Sequence, residues 1–401
     1  MNRVNGRHYL WLIVLLVLSA MLLSPWITAP PAQQSASRQP EQAARPSPRT
    51  LDEDAEPVRL RVATALGEPD FAALMKQSEE IGALRNIEVE WVRVDPSEAY
   101  DVFRKDARLG TAADVMLMPA EWVINFAVSG LLAPADSAFS GDGQSQQFAA
   151  LTASLKWNGY IWGVPRDFDP YVLVWNMDAL AEALGPSPDI PDNPGVWAEL
   201  AEKSRAAANP VPFLALDRDE PLSLLAWAHA VAGERSDHIW EEKHAWNKTL
   251  LGDALSLLDR ERDHAVFAGG TADIAAAVSQ GGVIAAVLPY SSAKLLMDVS
   301  PHSPSLRMDL APWKQPYVWP RSTVFTIYAR TNAQEAATRW IAAMISEPMQ
   351  LAHWMDSGKL PAQASLFERD FRLRSVLSGQ APDAFPYDSR YSMDPGLPQR
   401  L

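Results

Sequence analysis

Hydrophobic and polar positions change period in a regular order along the first half of the globular region. Val58-Arg59-Leu60-Arg61-Val62 alternates apolar with basic residues and predicts a strand. Residues 70–84 then carry helical spacing through Phe71, Leu74, Met75 and Ile81. Ile87-Glu88-Val89-Glu90-Trp91 alternates again. The stretch 97–109 reads as a helix, with Ser97 after Pro96 as its cap. The short apolar run 113–118 suits a buried parallel strand, and the helix expected over 121–128 is stopped by Gly130. Strand, helix, strand, helix, strand at this spacing implies right-handed βαβ units and a doubly wound sheet.

Strands are expected next at 160–163 and 171–175. The chain then turns helix-rich over 197–208, 221–232, 238–258 and 273–280, and returns to strand at 281–288 and 322–328. Asn332 and Glu335 have the spacing of a capping pair before a helix at 336–345. Pro348 opens a further helix that Gly358 ends. No internal repeat is visible, and two α/β lobes fit the length better than one very large sheet.

The N-terminal pattern is different. Arg3 and Arg7 precede an uninterrupted apolar run from Tyr9 to Leu23, the signature of export. Ile27-Thr28-Ala29 is a poor cleavage site because Pro30 follows it, which favours an uncleaved anchor over a cleaved signal peptide. The two arginines keep the N-terminus cytoplasmic and put the remainder outside. Residues 30–57 form a linker: six of 28 are proline and none is aromatic, too little apolar surface to offset ordering. The expected location is therefore the cell membrane, with an extracytoplasmic globular part, or a secreted or periplasmic protein if the segment is cut.

Composition narrows the chemistry. The 401 residues carry a net charge of −14, and such a surface repels phosphate backbones, so nucleic acid is excluded as the main ligand. With no cysteine there is no disulfide, thiolate metal site, thiol nucleophile or lipidated N-terminal cysteine. No phosphate loop and no Gly-x-Ser-x-Gly elbow occurs. His238 and Glu242 stand one helical turn apart, but a solvated helix face is their ordinary reading and no metal is expected. Gly269-Gly270 and Gly281-Gly282 read as loop breaks.

The densest candidate chemistry lies in 157–178, which holds Trp157, Trp162, Arg166, Asp167, Asp169, Tyr171 and Trp175. Aromatics beside carboxylates suit carbohydrate: sugar C–H faces lie on indole while hydroxyls donate to carboxylates. Asp167 and Asp169 are also spaced like a side-by-side carboxylate pair. A glycosidase pair must flank its bond from opposite sides, so an enzyme is disfavoured.

Four stretches resemble the extracellular solute-binding proteins of family 1, the maltose-binding-protein type that feeds ABC importers. They are Asp114-Val115-Met116-Leu117 with Glu121-Trp122 and Gly130-Leu131-Leu132; Gly159-Tyr160-Ile161-Trp162-Gly163-Val164-Pro165 with Asn176-Met177-Asp178; Phe267-Ala268-Gly269-Gly270-Thr271-Ala272; and Trp340-Ile341 through Glu347-Pro348-Met349-Gln350 to Gly358-Lys359-Leu360-Pro361-Ala362. Each is weak alone, but their order over residues 58 to about 370 is fairly specific. The resemblance implies a two-lobe periplasmic-binding-protein (Venus flytrap) fold: doubly wound α/β sheets joined by hinge strands, with the ligand in the cleft. Lobe 1 is expected from 58–170 plus 310–345, and lobe 2 from 171–309 plus 346–401. By the same resemblance Asp169 presents a polar group to sugar, Trp122 faces the cleft from lobe 1, and Tyr290 lines lobe 2. Glu121, Asp167, Trp319 and Arg321 complete the expected site. The implied protein is a monomer without catalysis or cofactor. Its partners are a small solute, a sugar above all, and the permease subunits of an importer. A ligand sensor serving a membrane partner is the alternative, with a glycoside-active enzyme behind it.

Two departures from the family pattern stand out. No cysteine is present to lipidate, so a hydrophobic anchor takes that place. The glycine-rich turn often found before the strand at Val324 reads Trp319-Pro320-Arg321-Ser322, which suits a narrowed cleft or an acidic ligand.

Overall fold

The computed structural model describes residues 57–139, 143–232, 250–299, 305–310 and 321–376. The apolar run 9–23, linker residues 30–56, the His238 and Glu242 pair and Trp319 lie outside them. Among the described residues no helix is long and apolar enough to cross a membrane, and no cluster of His and acidic side chains is arranged to hold a metal.

Fourteen strands are described: β1 (Val58–Thr64), β2 (Ile87–Arg93), β3 (Val115–Pro119), β4 (Leu132–Ala133), β5 (Lys156–Trp157), β6 (Tyr160–Ile161), β7 (Val164–Phe168), β8 (Tyr171–Asn176), β9 (Leu214–Asp217), β10 (Ala265–Ala268), β11 (Ala285–Pro289), β12 (Leu306–Asp309), β13 (Ser322–Tyr328) and β14 (Leu360–Pro361). They form two mixed sheets and one hairpin. The seven-stranded sheet runs β14-β7-β13-β3-β1-β2, with β4 also on β13. The five-stranded sheet runs β10-β9-β11-β8-β12. In the first, β1 lies between β2 and β3 and is parallel to both, as expected where a helix crosses over after each strand. In the second, β9 is parallel to β10 and β11, whereas β8 is antiparallel to β11 and β12. The hairpin of β5 and β6 turns at Asn158-Gly159, both with positive φ, the chemistry such tight turns favour.

Burial follows the strand period. Every residue of β8 is buried. Tyr171, Leu173 and Trp175 pack into a cluster with Trp197, Phe213 and Trp227, while Val172 and Val174 pack into another with Ile274, Tyr290, Trp354 and Phe367. A strand covered on both faces by helices needs the continuous apolar run that this segment has. A third cluster, with Leu60, Val62, Val115, Phe126, Phe325 and Trp340, covers the larger sheet.

Most expected elements occur, with ends moved by a few residues. Two caps are differently made. Ser97 does not cap the helix Ala99–Leu109, because its N–H and hydroxyl both donate to Asp95 Oδ1, at 2.9 and 2.6 Å; Glu98 stands at the cap with no side-chain bond. Asn332 does not cap the helix Gln334–Met344 either. Ala333 occupies that position, and its N–H donates to Thr331 Oγ1 at 3.0 Å. Within the segment 346–401 expected in the second lobe, β14 pairs with β7 of the larger sheet, while Trp354, Leu366, Phe367 and Leu373 pack in the cluster that holds Val172, Val174 and Leu288.

Candidate functional site

The chain passes from one sheet to the other at Asp169-Pro170, between β7 and β8. It returns between β12 and β13, where Arg321 is the last residue before β13. The two crossings are bonded together: the Asp169 N–H donates to the Arg321 carbonyl at 2.8 Å. Three helices begin beside this junction, each directly or shortly after a strand: Ala120–Val128 after β3, Pro221–Ala232 after β9 and Tyr290–Val299 after β11. In open α/β sheets such strand-to-helix ends are where ligands bind.

A cavity of about 170 Å³ lies there. Its wall is mostly charged: Glu121, Asp167, Asp169 and Glu220 face Arg321 and Lys359, with Pro119, Leu222, Ser322 and Thr323 completing it. Glu121 and Pro119 come from the β3 end, Glu220 and Leu222 from the β9 end. The larger and smaller sheets therefore both contribute.

Each charge has its own support. Both Asp169 oxygens are held by Ser291, which donates its N–H to Oδ1 at 2.9 Å and its hydroxyl to Oδ2 at 2.7 Å. Asp169 thus serves as a remote cap for the helix Tyr290–Val299. Burial pushes its carboxyl above the usual range despite those bonds. Burial likewise pushes Glu121 up, to about 7, with the Glu220 charge adding to the effect. Arg321 lies over the Tyr171 ring at 5.1 Å and reaches Glu220 at 3.9 Å. Burial disfavours its charge, but Tyr171, Asp169, Glu220 and Glu121 together outweigh that. Lys359 donates to Asp70 Oδ2 at 2.6 Å and stays protonated because the Asp167 and Asp70 charges overcome its burial.

Asp167 is 1% exposed and is built into β7 by an irregular pairing. Thr323 pairs with Asp167 and Val324 with Pro165, so Arg166 is an extra residue opposite β13. Such a bulge breaks the two-face alternation and lets consecutive Arg166 and Asp167 both reach His353. His353 Nε2 lies 2.7 Å from Asp167 Oδ2, and Arg166 Nη2 lies 3.2 Å from His353 Nδ1. The Thr323 N–H donates to Asp167 Oδ1 at 3.3 Å. Burial works against the Asp167 charge, but the His353 hydrogen bond, with Lys359 and Arg166 nearby, holds the carboxyl well below the usual range.

Of the seven residues expected at the site, the cavity brings together Glu121, Asp167, Asp169 and Arg321. Trp122 is not in its lining. The indole packs edge-on against Tyr100 at 5.2 Å and Phe103 at 6.4 Å, as a half-buried extension of the core of the larger sheet. The reason is helical geometry: in Ala120–Val128, Glu121 points to the cavity, and its sequence neighbour lies about 100° further round. Tyr290 is buried among Ile274, Leu288 and Ala293, and its pKa is raised chiefly by that burial. The lining also includes Glu220 and Lys359, which no motif announced. Lys359 sits inside the quoted Gly358-Lys359-Leu360-Pro361 stretch. Glu220 is the residue just before the helix expected to start at Pro221, and that placement is the one signal that could have found it.

Two α/β sheets joined by paired crossings, with a charged cavity at the junction, define a two-lobe solute-binding protein. Residues 75–371 match the family described as bacterial extracellular solute-binding proteins, and the chain belongs to that family. Among solved structures it is similar to the GacH receptor of Streptomyces glaucescens GLA.O, solved unliganded and in complex with acarbose (19% identity, 82% of this chain and 88% of that chain covered, TM-score 0.62). It is also similar to a solute-binding protein of an ABC transporter from Thermotoga lettingae TMO bound with α-D-tagatose (15% identity, 85% and 91% covered, TM-score 0.62). A third is MalE3 of T. maritima, bound to maltose (18% identity, 80% and 85% covered, TM-score 0.60). No curated protein matches the sequence.

Proposed function

We propose that this protein is the extracytoplasmic substrate-binding component of an ABC importer and that it holds a small polyhydroxylated solute, a carbohydrate or polyol, in the cavity at the crossing. The observation that carries this reading is the wall itself. Carboxylates from the ends of two different sheets converge with Arg321 and Lys359 on one small space. Sugar hydroxyls donate to carboxylates and accept from cations, so a wall mixing both suits them. The solved proteins of the same fold described as bound to maltose, tagatose or acarbose support the same class of ligand. Glu121, Asp167, Asp169 and Arg321 are the proposed contacts, with Glu220 and Lys359 added. One lobe is built on the larger sheet, including β14, and the other on the smaller.

The protein acts as a carrier and not as a catalyst. A glycosidase needs one carboxyl as proton donor, whereas Asp167 and Asp169 both accept hydrogen bonds, from His353 and Ser291, and remain acceptors for ligand hydroxyls. A ligand touching both lobes stabilises the closed arrangement, which then docks on permease subunits. The test is thermal melting of the full-length protein with maltose, D-tagatose, D-mannitol and acarbose, and with amino acids as a comparison. Saturating sugar or polyol should raise the melting temperature by several degrees. A shift with amino acids and none with the sugars and polyols would replace this reading.

A further inference from the structure

The cluster behind the cavity has a feature that burial alone does not require. Arg166 and His353 are both nearly inaccessible, at 2% and 3% exposure, and both are polar. A guanidinium only donates hydrogen bonds. Arg166 Nη2 lies 3.2 Å from His353 Nδ1, so that nitrogen is the acceptor and carries no proton. The imidazole proton then resides on Nε2, which lies 2.7 Å from Asp167 Oδ2 and donates to it. Protonating Nδ1 as well would set one N–H against another.

We propose that His353, locked by Arg166 as the neutral Nε2–H tautomer, is a positioning residue that fixes Asp167 as a permanently ionised acceptor in the cavity wall. The inference rests on the reading of Asp167 as a ligand contact. It deepens that reading by naming what the contact selects. An ionised Asp167 with one oxygen on His353 and the other on the Thr323 N–H accepts and never donates. It favours a ligand hydroxyl or amine at that place and disfavours a ligand carboxylate or phosphate.

The groups that face the ring act in both directions: Asp167 favours a charged imidazole, whereas burial, Arg166 and Lys359 oppose it. On the helix Glu68–Arg85, Gln77 accepts from Arg166 Nη2 at 3.3 Å, and Asp70 pairs with Lys359. On β7 stand Arg166 and Asp167. On its own helix, Glu347–Ser357, the Ser357 hydroxyl donates to the His353 carbonyl at 2.7 Å. Lys359 follows the end of that helix. A positive charge on the ring would meet Arg166 and Lys359; burial first, and then those charges, outweigh the pull of Asp167 and hold His353 below its ordinary range.

Nitrogen-15 NMR of the full-length protein, labelled at histidine, tests the tautomer directly. The expected result is a neutral Nε2–H signature for His353 that does not change between pH 8 and pH 5.5. An Nδ1–H tautomer, or a ring that protonates in that window, overturns the proposal. Carbon-13 titration of the Asp167 carboxyl is the second readout. It should stay ionised to low pH in the wild type and in His353→Gln, whose amide supplies a donor toward Asp167 and an acceptor toward Arg166. It should titrate higher in His353→Leu. An Asp167 titration unchanged in His353→Leu also overturns the proposal. Maltose and D-mannitol are the binding probes. For a probe that binds, His353→Leu should weaken it about tenfold and His353→Gln should restore most of that loss. If the NMR results hold but Asp167→Asn leaves probe binding unchanged, the tautomer stands and the ligand role of Asp167 falls.

Discussion

At the scale of single residues, two positions bear on the crossing in different ways. Gly163 precedes β7, and a Cβ built there would collide with Val324 Cγ1 and lie 3.3 Å from the Phe325 carbonyl oxygen. The Val324 side chain on β13 blocks a methyl group there, and the Phe325 carbonyl leaves it little room to shift. Gly163→Ala should therefore cost about 1–3 kcal/mol by forcing β7 and β13 apart, read as a lower denaturant midpoint at unchanged m-value. Asp169 acts through charge instead. Asp169→Ala removes both acceptors for Ser291 and leaves the first turn of the helix Tyr290–Val299 without its remote cap. A loss of about 1–2 kcal/mol is expected, and Asp169→Asn, which keeps one acceptor, should lose less. Equal losses in the two variants would show that the carboxylate geometry is unimportant.

At the scale of elements, the helix Pro221–Ala232 shows how a buried titratable group shapes stability. His229 is fully buried in it, and burial lowers its pKa to about 4. The unfolded chain takes up a proton near the ordinary value of 6.5, and the folded one does not until about 4. The contribution is therefore present above pH 6.5 and lost as pH falls toward 4, amounting to about 3 kcal/mol. The melting temperature of His229→Gln should fall less steeply over that window than the wild type's. Parallel curves would sink the assignment. The same helix marks the boundary of what the sequence disclosed. Its extent was legible because the apolar spacing and Pro221 are local signals. Strands β7 and β14 were not, because their reason is distant: β7 is a hydrophobic run broken by Arg166 and Asp167, which partners far along the chain, His353, Gln77 and Thr323, make tolerable. The candidate site divides the same way. Glu121 and Asp169, which line the cavity, stand within or beside the quoted motifs at strand ends. Trp122 was assigned by analogy of position, yet a one-residue step on a helix turns a side chain from the cavity to the core. Arg321 was expected to narrow the cleft or to recognise an acidic ligand; the chain surrounds it with Glu220, Asp169 and the Tyr171 face.

At the scale of the whole molecule, the balance of charge at the crossing couples the two sheets to pH. Glu121 follows β3 of the larger sheet, Glu220 precedes a helix that follows β9 of the smaller, and Arg321 stands on the segment between them. Burial raises Glu121 from 4.5 to about 7, so the folded protein keeps a proton there that the unfolded chain has lost. Stability from this group is full below pH 4.5 and disappears as pH rises through 7. The loss is about 2 kcal/mol after allowance for the partial contact of Glu121 with solvent. This slope opposes that of His229, so the two are separable by variant. Glu121→Gln should flatten the decline between pH 5 and pH 8 and leave the acid side unchanged. Removing the guanidinium should do the reverse. In Arg321→Met, Glu121 and Asp169 lose the cation that favours their charged forms, beside the Glu220 carboxylate. The melting temperature of that variant should fall further behind the wild type at pH 8 than at pH 5, because at pH 5 protons relieve the repulsion. A deficit that is the same at both pH values would mean that Arg321 contributes packing on Tyr171 and not charge balance. A deficit larger at pH 5 would contradict the arrangement of carboxylates on which the ligand reading also depends.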